Sequence, residues 1–157
     1  MSGPSTWDEC RFRVDDGSLE EPDVHDNFVY AMSVHLEDHF LVLHSQYRDG
    51  DGPSELIDVR FDGVIAHHFD DVASPSILLD IERVPADWVV QRWGRLFESR
   101  RNYGWPPVDS SDPADLSVML TARGVSGYRV MGSCGLDGFV LATSASYRLR
   151  SRPAEFV

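Results

Sequence analysis

The sequence predicts an α+β fold: a mainly antiparallel sheet of about six to seven strands with two helices on one face. Three observations predict it. Apolar residues recur at every second position over 28–47 and again over 57–81. The period turns helical over two stretches between Pro85 and Gly124. Two further apolar runs of strand length follow, at 125–131 and 139–147. With 157 residues, 42% of them hydrophobic, the chain is long enough to bury one core.

Residues 1–27 carry eight acids against Arg11 and Arg13, and only Trp7, Phe12, Val14 and Leu19 offer apolar surface. Such a stretch is expected to bury little and to form an acidic, partly disordered arm, with at most one short strand around Arg11 to Val14. Its opening residues have neither a basic nor an apolar leader region, so the expected location is the cytoplasm, with reduced thiols.

The domain proper is expected over 28–147. Phe28, Tyr30, Met32, Val34 and Leu36 alternate with Val29, Ala31, Ser33 and His35, and a second run extends from His39 to Tyr47. With Glu37 and Asp38 as the turn, Leu36 faces His39, Val34 faces Leu41 and Met32 faces Leu43, which leaves one side almost wholly apolar. Asp49-Gly50-Asp51-Gly52-Pro53 is a turn signal. Ile57, Val59 and Phe61 alternate with Asp58, Arg60 and Asp62, predicting a third strand with one wet face. Gly63 marks a bulge, Val64 to Phe69 a short strand, and Ile77, Leu79 and Ile81 the inward face of another.

Pro85 and Asp87 suit the first turn of a helix. Val89, Trp93, Leu96 and Phe97 follow at helical spacing as one buried stripe, and Gly104 with Trp105-Pro106-Pro107 ends it. A second helix after Asp112-Pro113 buries Leu116, Met119 and Leu120 and stops at Gly124. The last two runs form a closing hairpin around the glycine-rich segment 132–138, and 148–157 is expected to fray.

Composition excludes several functions. The formal net charge is −12, and all 14 basic residues are arginine. A pI near 4.7 disfavours nucleic acid as a partner, because phosphate binding needs clustered cations. No apolar run is long enough for a transmembrane helix. Two cysteines cannot build a four-cysteine zinc site.

No metal and no cofactor is expected. In the hairpin register His39 points away from His35 and His44, while His35 and His44 stand about 13 Å apart, beyond a shared ion. His67 and His68 are strand neighbours and point opposite ways. A calcium loop beginning at Asp49 would need an oxygen ligand where Pro53 stands and a glycine where Ser54 stands. Cys134, in Gly132-Ser133-Cys134-Gly135, is the candidate nucleophile. It lacks the strand-to-helix context that lowers a thiol pKa, and Gly132, Gly135 and Gly138 are spaced as turn residues.

Charge asymmetry is the informative feature. Residues 1–84 hold 19 acids and five arginines, a net of −14, whereas residues 85–157 carry +2. Asp58, Asp62, Asp70, Asp71, Asp80 and Glu82 are the candidate carboxylates for a negative field that steers a basic protein partner. Trp88, off the buried helical stripe and followed by Arg92, is the candidate aromatic anchor.

The run Asp58-Val59-Arg60-Phe61-Asp62-Gly63-Val64-Ile65-Ala66-His67-His68-Phe69, then Ile77-Leu78-Leu79-Asp80-Ile81, resembles small bacterial α+β proteins, in particular immunity proteins of toxin systems. The resemblance spans residues 25 to 147 and rests on structural motifs, so it carries over no site residue. It implies an α+β fold and a binder that neutralises a toxin.

The leading expectation is therefore a non-enzymatic acidic binding protein. Two alternatives stay open. One is a small enzyme using Cys134 or a histidine–carboxylate pair in a cleft between sheet and helices. The other is a homo-oligomeric module that pairs through a sheet edge.

Overall fold

A computed structural model describes residues 6–50, 55–108 and 113–151. The chain order is β1 (Asp8–Glu9), β2 (Arg11–Phe12), β3 (Leu19–Glu21), β4 (Phe28–His35), β5 (Phe40–Gln46), β6 (Leu56–Asp62), β7 (Ala66–Asp70) and β8 (Ile77–Pro85). There follow α1 (Ala86–Arg92), α2 (Gly94–Arg100), α3 (Pro113–Ala122), β9 (Ser126–Cys134), β10 (Asp137–Ala142) and β11 (Ser144–Arg150). The class is α+β with an antiparallel sheet. Among the described residues that sheet has nine strands, in the order β1-β11-β6-β5-β4-β8-β9-β10-β7, rather than six or seven.

Two local features account for the difference. The run 139–147 is not one strand. At Thr143 the chain leaves β10, which pairs with β9 and β7, and enters β11, which pairs with β6 and β1. The acidic arm supplies the other extra strand, since Asp8 and Glu9 pair with Tyr147 and Ser146.

The crossing at Thr143 is tight. Its amide and hydroxyl both donate to the Asp62 carbonyl, at 2.9 and 3.1 Å. Gly63 beside it has φ +62°, and a Cβ there would stand 2.2 Å from Thr143 Oγ1, so the glycine serves a turn and a close approach rather than a bulge.

The nine strands form two halves, five and four strands wide, joined at the single pair Phe28↔Ile77 between β4 and β8. They fold over one shared interior. Leu41 and Leu43 of β5 and Ile57, Val59 and Phe61 of β6 pack in one cluster with Ile81 of β8, Tyr128 and Val130 of β9 and Val140 of β10. Phe61 and Tyr128 lie 5.3 Å apart between ring centres.

The predicted hairpin register holds over Ala31–His35, with Met32↔Leu43 and Val34↔Leu41, but it shifts between Val29 and Ala31, and Leu36, expected to face His39 on the apolar side, lies 75% exposed in the turn. On β8 the expected inward set is corrected. Register shifts between Ile77 and Asp80 turn Leu78 inward, at 1% exposure, and leave Leu79 44% exposed.

Helices cover the outer face of the four-stranded half. Period two divides β10 between the two cores: Val140 and Ala142 face the interior, while Phe139 and Leu141 meet Val89, Phe97, Leu116 and Leu120. Among the described residues three α-helices stand where two were expected, because Trp93 (φ −107°, ψ 31°) breaks the first just before Gly94.

The arm departs most from expectation. It buries Cys10, Ser18, Leu19, Val24 and Asn27, and it runs along β8 through the bridge Ser18↔Glu82. Arg83 N–H bonds to Gly17 O at 2.8 Å, and Asp26 N–H to Leu78 O at 2.9 Å. The chain thus meets a strand edge that needs donors and acceptors; of its apolar residues Leu19 goes inward and Phe12 packs against the core, while Val14 stays fully exposed. Arg148 and Arg150, expected in a frayed tail, are part of β11. Residues 152–157, 51–54 of the turn signal, and Asp112 before the last helix lie outside the described residues.

Candidate functional site

Two polar constellations stand out, and the first lies on the outer face of the five-stranded half. In β6 Asp58 faces His44 of β5 directly, and Arg148 of β11 stands across on its other side. His44 Nδ1 lies 2.8 Å from Asp58 Oδ1; Asp58 Oδ2 accepts from Arg148 Nε at 2.8 Å and Arg150 at 3.2 Å. Ser33 Oγ of β4 lies 2.8 Å from His44 Nε2. Asp58 is 0% exposed and His44 4%. Burial pushes the Asp58 carboxyl up, but the bonds from His44 and the two guanidiniums outweigh it and hold the group below its ordinary value. An ionised Asp58 can only accept, so Nδ1–H donates to it; in the neutral ring Nε2 is then the acceptor for the Ser33 hydroxyl.

Asp58 was expected on a wet face, available to a partner. It is instead enclosed, because the side chains around it satisfy its charge. Asp62 is held by Arg60 in a two-pronged contact, and Arg60 in turn stacks on Phe40 and Trp7.

The second constellation is the face where the arm meets β8. His25 Nδ1 donates to Leu79 O at 2.8 Å, and its Nε2 is 3.6 Å from Asp26. The Leu79 carbonyl first, then the charges of Asp26, Asp23 and Asp80, raise the His25 pKa. Asp80 is raised by burial and by the charge of Asp16, although the N–H groups of Ile81 and Leu19 and the charge of Arg13 oppose this. Exposed Asp15 and Glu20 belong to the same arm, and Glu82 lies two residues along the strand, 4.0 Å from Arg129. A histidine NMR titration tests this field. The wild-type His25 is expected above 6.5 and Asp23→Asn with Asp26→Asn to bring it part of the way down; a wild-type value at or below 6.5 would contradict the geometry.

The remaining sequence candidates separate. Asp70, on the edge strand β7, bonds His68 at 3.1 Å, and Asp71 follows in the turn with φ 57°. The six carboxylates therefore sit on or beside three strands, β6, β8 and β7, that are not neighbours in the sheet; only Asp80 and Glu82 join the arm acids.

Trp88 is half-buried rather than exposed. It packs edge-on against Trp93 with ring centres 6.1 Å apart, and Arg129, not Arg92, lies over its ring. Cys134 is exposed at the end of β9, its Sγ 3.8 Å from Pro75 O. The other thiol, Cys10, is pushed up to about 12 by burial. A groove of about 420 Å³ between the helices is lined by Asp87, Val90, Gln91, Phe97, Glu98 and Ser117, with neither a cysteine nor a histidine among them.

Sequence reasoning missed Ser33, His25 and the pairing of His44 with Asp58. The signal for Ser33 was in the hairpin register: Ala31↔His44 and Ser33↔Val42 make Ser33 and His44 diagonal neighbours on one face. The approach of the arm to β8 left no such signal. Among the described residues no group of three or more metal-binding side chains is close enough to hold an ion, and no helix is long and apolar enough to cross a membrane.

No family model, curated protein or solved structure matched this chain.

Proposed function

We propose that this is a cytoplasmic binding protein whose acidic face, made by the arm and β8, receives a basic protein partner. The observation that carries the reading is the convergence of Asp23, Asp26 and Asp80 on one histidine, beside Asp16. The charge of Asp16 works against an ionised Asp80, and Asp80 is held partly buried beside it all the same, with Arg13 offsetting only part of the field. A cationic partner would relieve that repulsion on binding, which gives the face a differential affinity for positive charge. Leu79, 44% exposed within the patch, offers apolar contact that charge steering alone does not supply.

The toxin-neutralising role implied by the sequence resemblance fits the same chemistry. A toxin site built to hold an anionic substrate would be blocked by carboxylates presented on a rigid strand.

The test is co-expression with each basic protein encoded beside this gene. One of them is expected to co-purify with the wild type, and the variant Asp23→Asn/Asp26→Asn/Asp80→Asn to lose most of it while keeping the wild-type circular dichroism. Equal retention by the folded variant would overturn the assignment of the face.

A further inference from the structure

We propose that Ser33 is a base-activated nucleophile that accepts an acyl group from small activated esters. The inference is independent of the binding face: it rests on β4, β5 and β6, whereas that face rests on the arm and β8.

The geometry has the three parts that such a serine needs. The hydroxyl oxygen is 2.8 Å from Nε2, within proton-transfer distance. The imidazole is oriented from behind by Asp58 at 2.8 Å, so its acceptor nitrogen faces the serine. Asp58 is itself pinned by Arg148 and Arg150, and its side chain is 1% exposed, so neither the ring nor the carboxylate is free to rotate away. Ser33 is only half-buried, whereas His44 behind it is 4% exposed. Ser33 is thus partly open to solvent, and the base behind it is shielded.

Ser33 Oγ attacks the ester carbonyl carbon, its proton passes to His44 Nε2, and the alcohol or phenolate leaves as the acyl–serine bond forms. Asp58 stabilises the imidazolium so produced without taking its proton. Water then releases the acid by the reverse transfer.

p-Nitrophenyl acetate is the probe, used on the full chain carrying Cys134→Ser, because the exposed thiol would otherwise react. The chain has no lysine, so side-chain amines do not compete. The expected result is one acetyl group located at Ser33 by fragmentation mass spectrometry, forming about 100-fold faster than in His44→Gln and absent in Ser33→Ala. The wild-type rate should also fall on acidification, as a step that needs a free base requires, while the far-ultraviolet circular dichroism stays constant. If His44→Gln does not fold, that pH profile and Ser33→Ala, which removes only a half-buried hydroxyl, decide the matter. Acetyl groups scattered over other serines and tyrosines, or a Ser33 rate independent of pH and of His44, would overturn the proposal.

Discussion

Replacing Asp58 by Asn is expected to destabilise the fold by about 3–5 kcal/mol, the cost of removing one partner from a buried ion pair. Asn matches Asp in shape, so the loss is electrostatic. Arg148 and Arg150 would keep their charges with side chains only 22% and 24% exposed, and an amide N–H would be turned toward donors. Four strands meet at this residue, because Asp58 bonds across β6 to His44 and to β11, and His44 reaches Ser33 of β4. The pH dependence follows from the lowered carboxyl. A group whose folded pKa is depressed contributes stability that is present above its unfolded value, about 3.9, and lost as pH falls through the folded value. Urea denaturation at neutral and acid pH checks both parts. The wild type should lose this contribution in acid, and Asp58→Asn should lack it throughout. A difference under about 1 kcal/mol at neutral pH would show the network to be marginal.

Phe139→Ala is expected to cost a similar 3–5 kcal/mol for a different reason. The ring is 0% exposed, with Trp93 4.8 Å and Phe97 5.6 Å away between centres, and it is the point where β10 meets the broken first helix. Deleting it removes the transfer free energy of the ring and leaves a void that two bulky aromatic neighbours cannot readily fill. Chemical denaturation measures the loss. Near-ultraviolet circular dichroism should report the altered setting of Trp93. A cost near 1 kcal/mol would mean that the helices pack on the sheet without depending on this contact.

What the sequence revealed and what it hid divide along the range of the interactions. Elements set by local period were legible: most of the β4–β5 register, the helical stripe through Val89 and Phe97, the stop at Gly104 and the last β-hairpin, although Gly132 and Gly138 lie in its strands and only Gly135 in its turn. A one-residue break was not. The bulge around Leu79 reverses which side chains face inward, and Thr143 sends one apolar run into two pairings. Neither leaves a mark in the alternation itself.

Charge was legible as a total and misleading in detail. Asp58 reads as a solvent-facing strand position until His44, Arg148 and Arg150, 14 to 92 residues away, are brought around it. The acids of the arm read as solvation, yet its backbone lies against β8 and sets Asp16, Asp23 and Asp26 beside Asp80. Sequence composition identified the negative half of the chain; only long-range pairing selects the carboxylates that share a face.

The most direct measurement of the binding account is the association rate with the co-purified basic partner, followed by stopped-flow across a series of salt concentrations. For the wild type the rate should fall steeply as salt rises, and at low salt the variant lacking the charges of Asp23, Asp26 and Asp80 should bind roughly 10-fold more slowly, with a flatter salt slope. Superimposable salt curves for the two proteins would contradict the claim that this face guides the encounter.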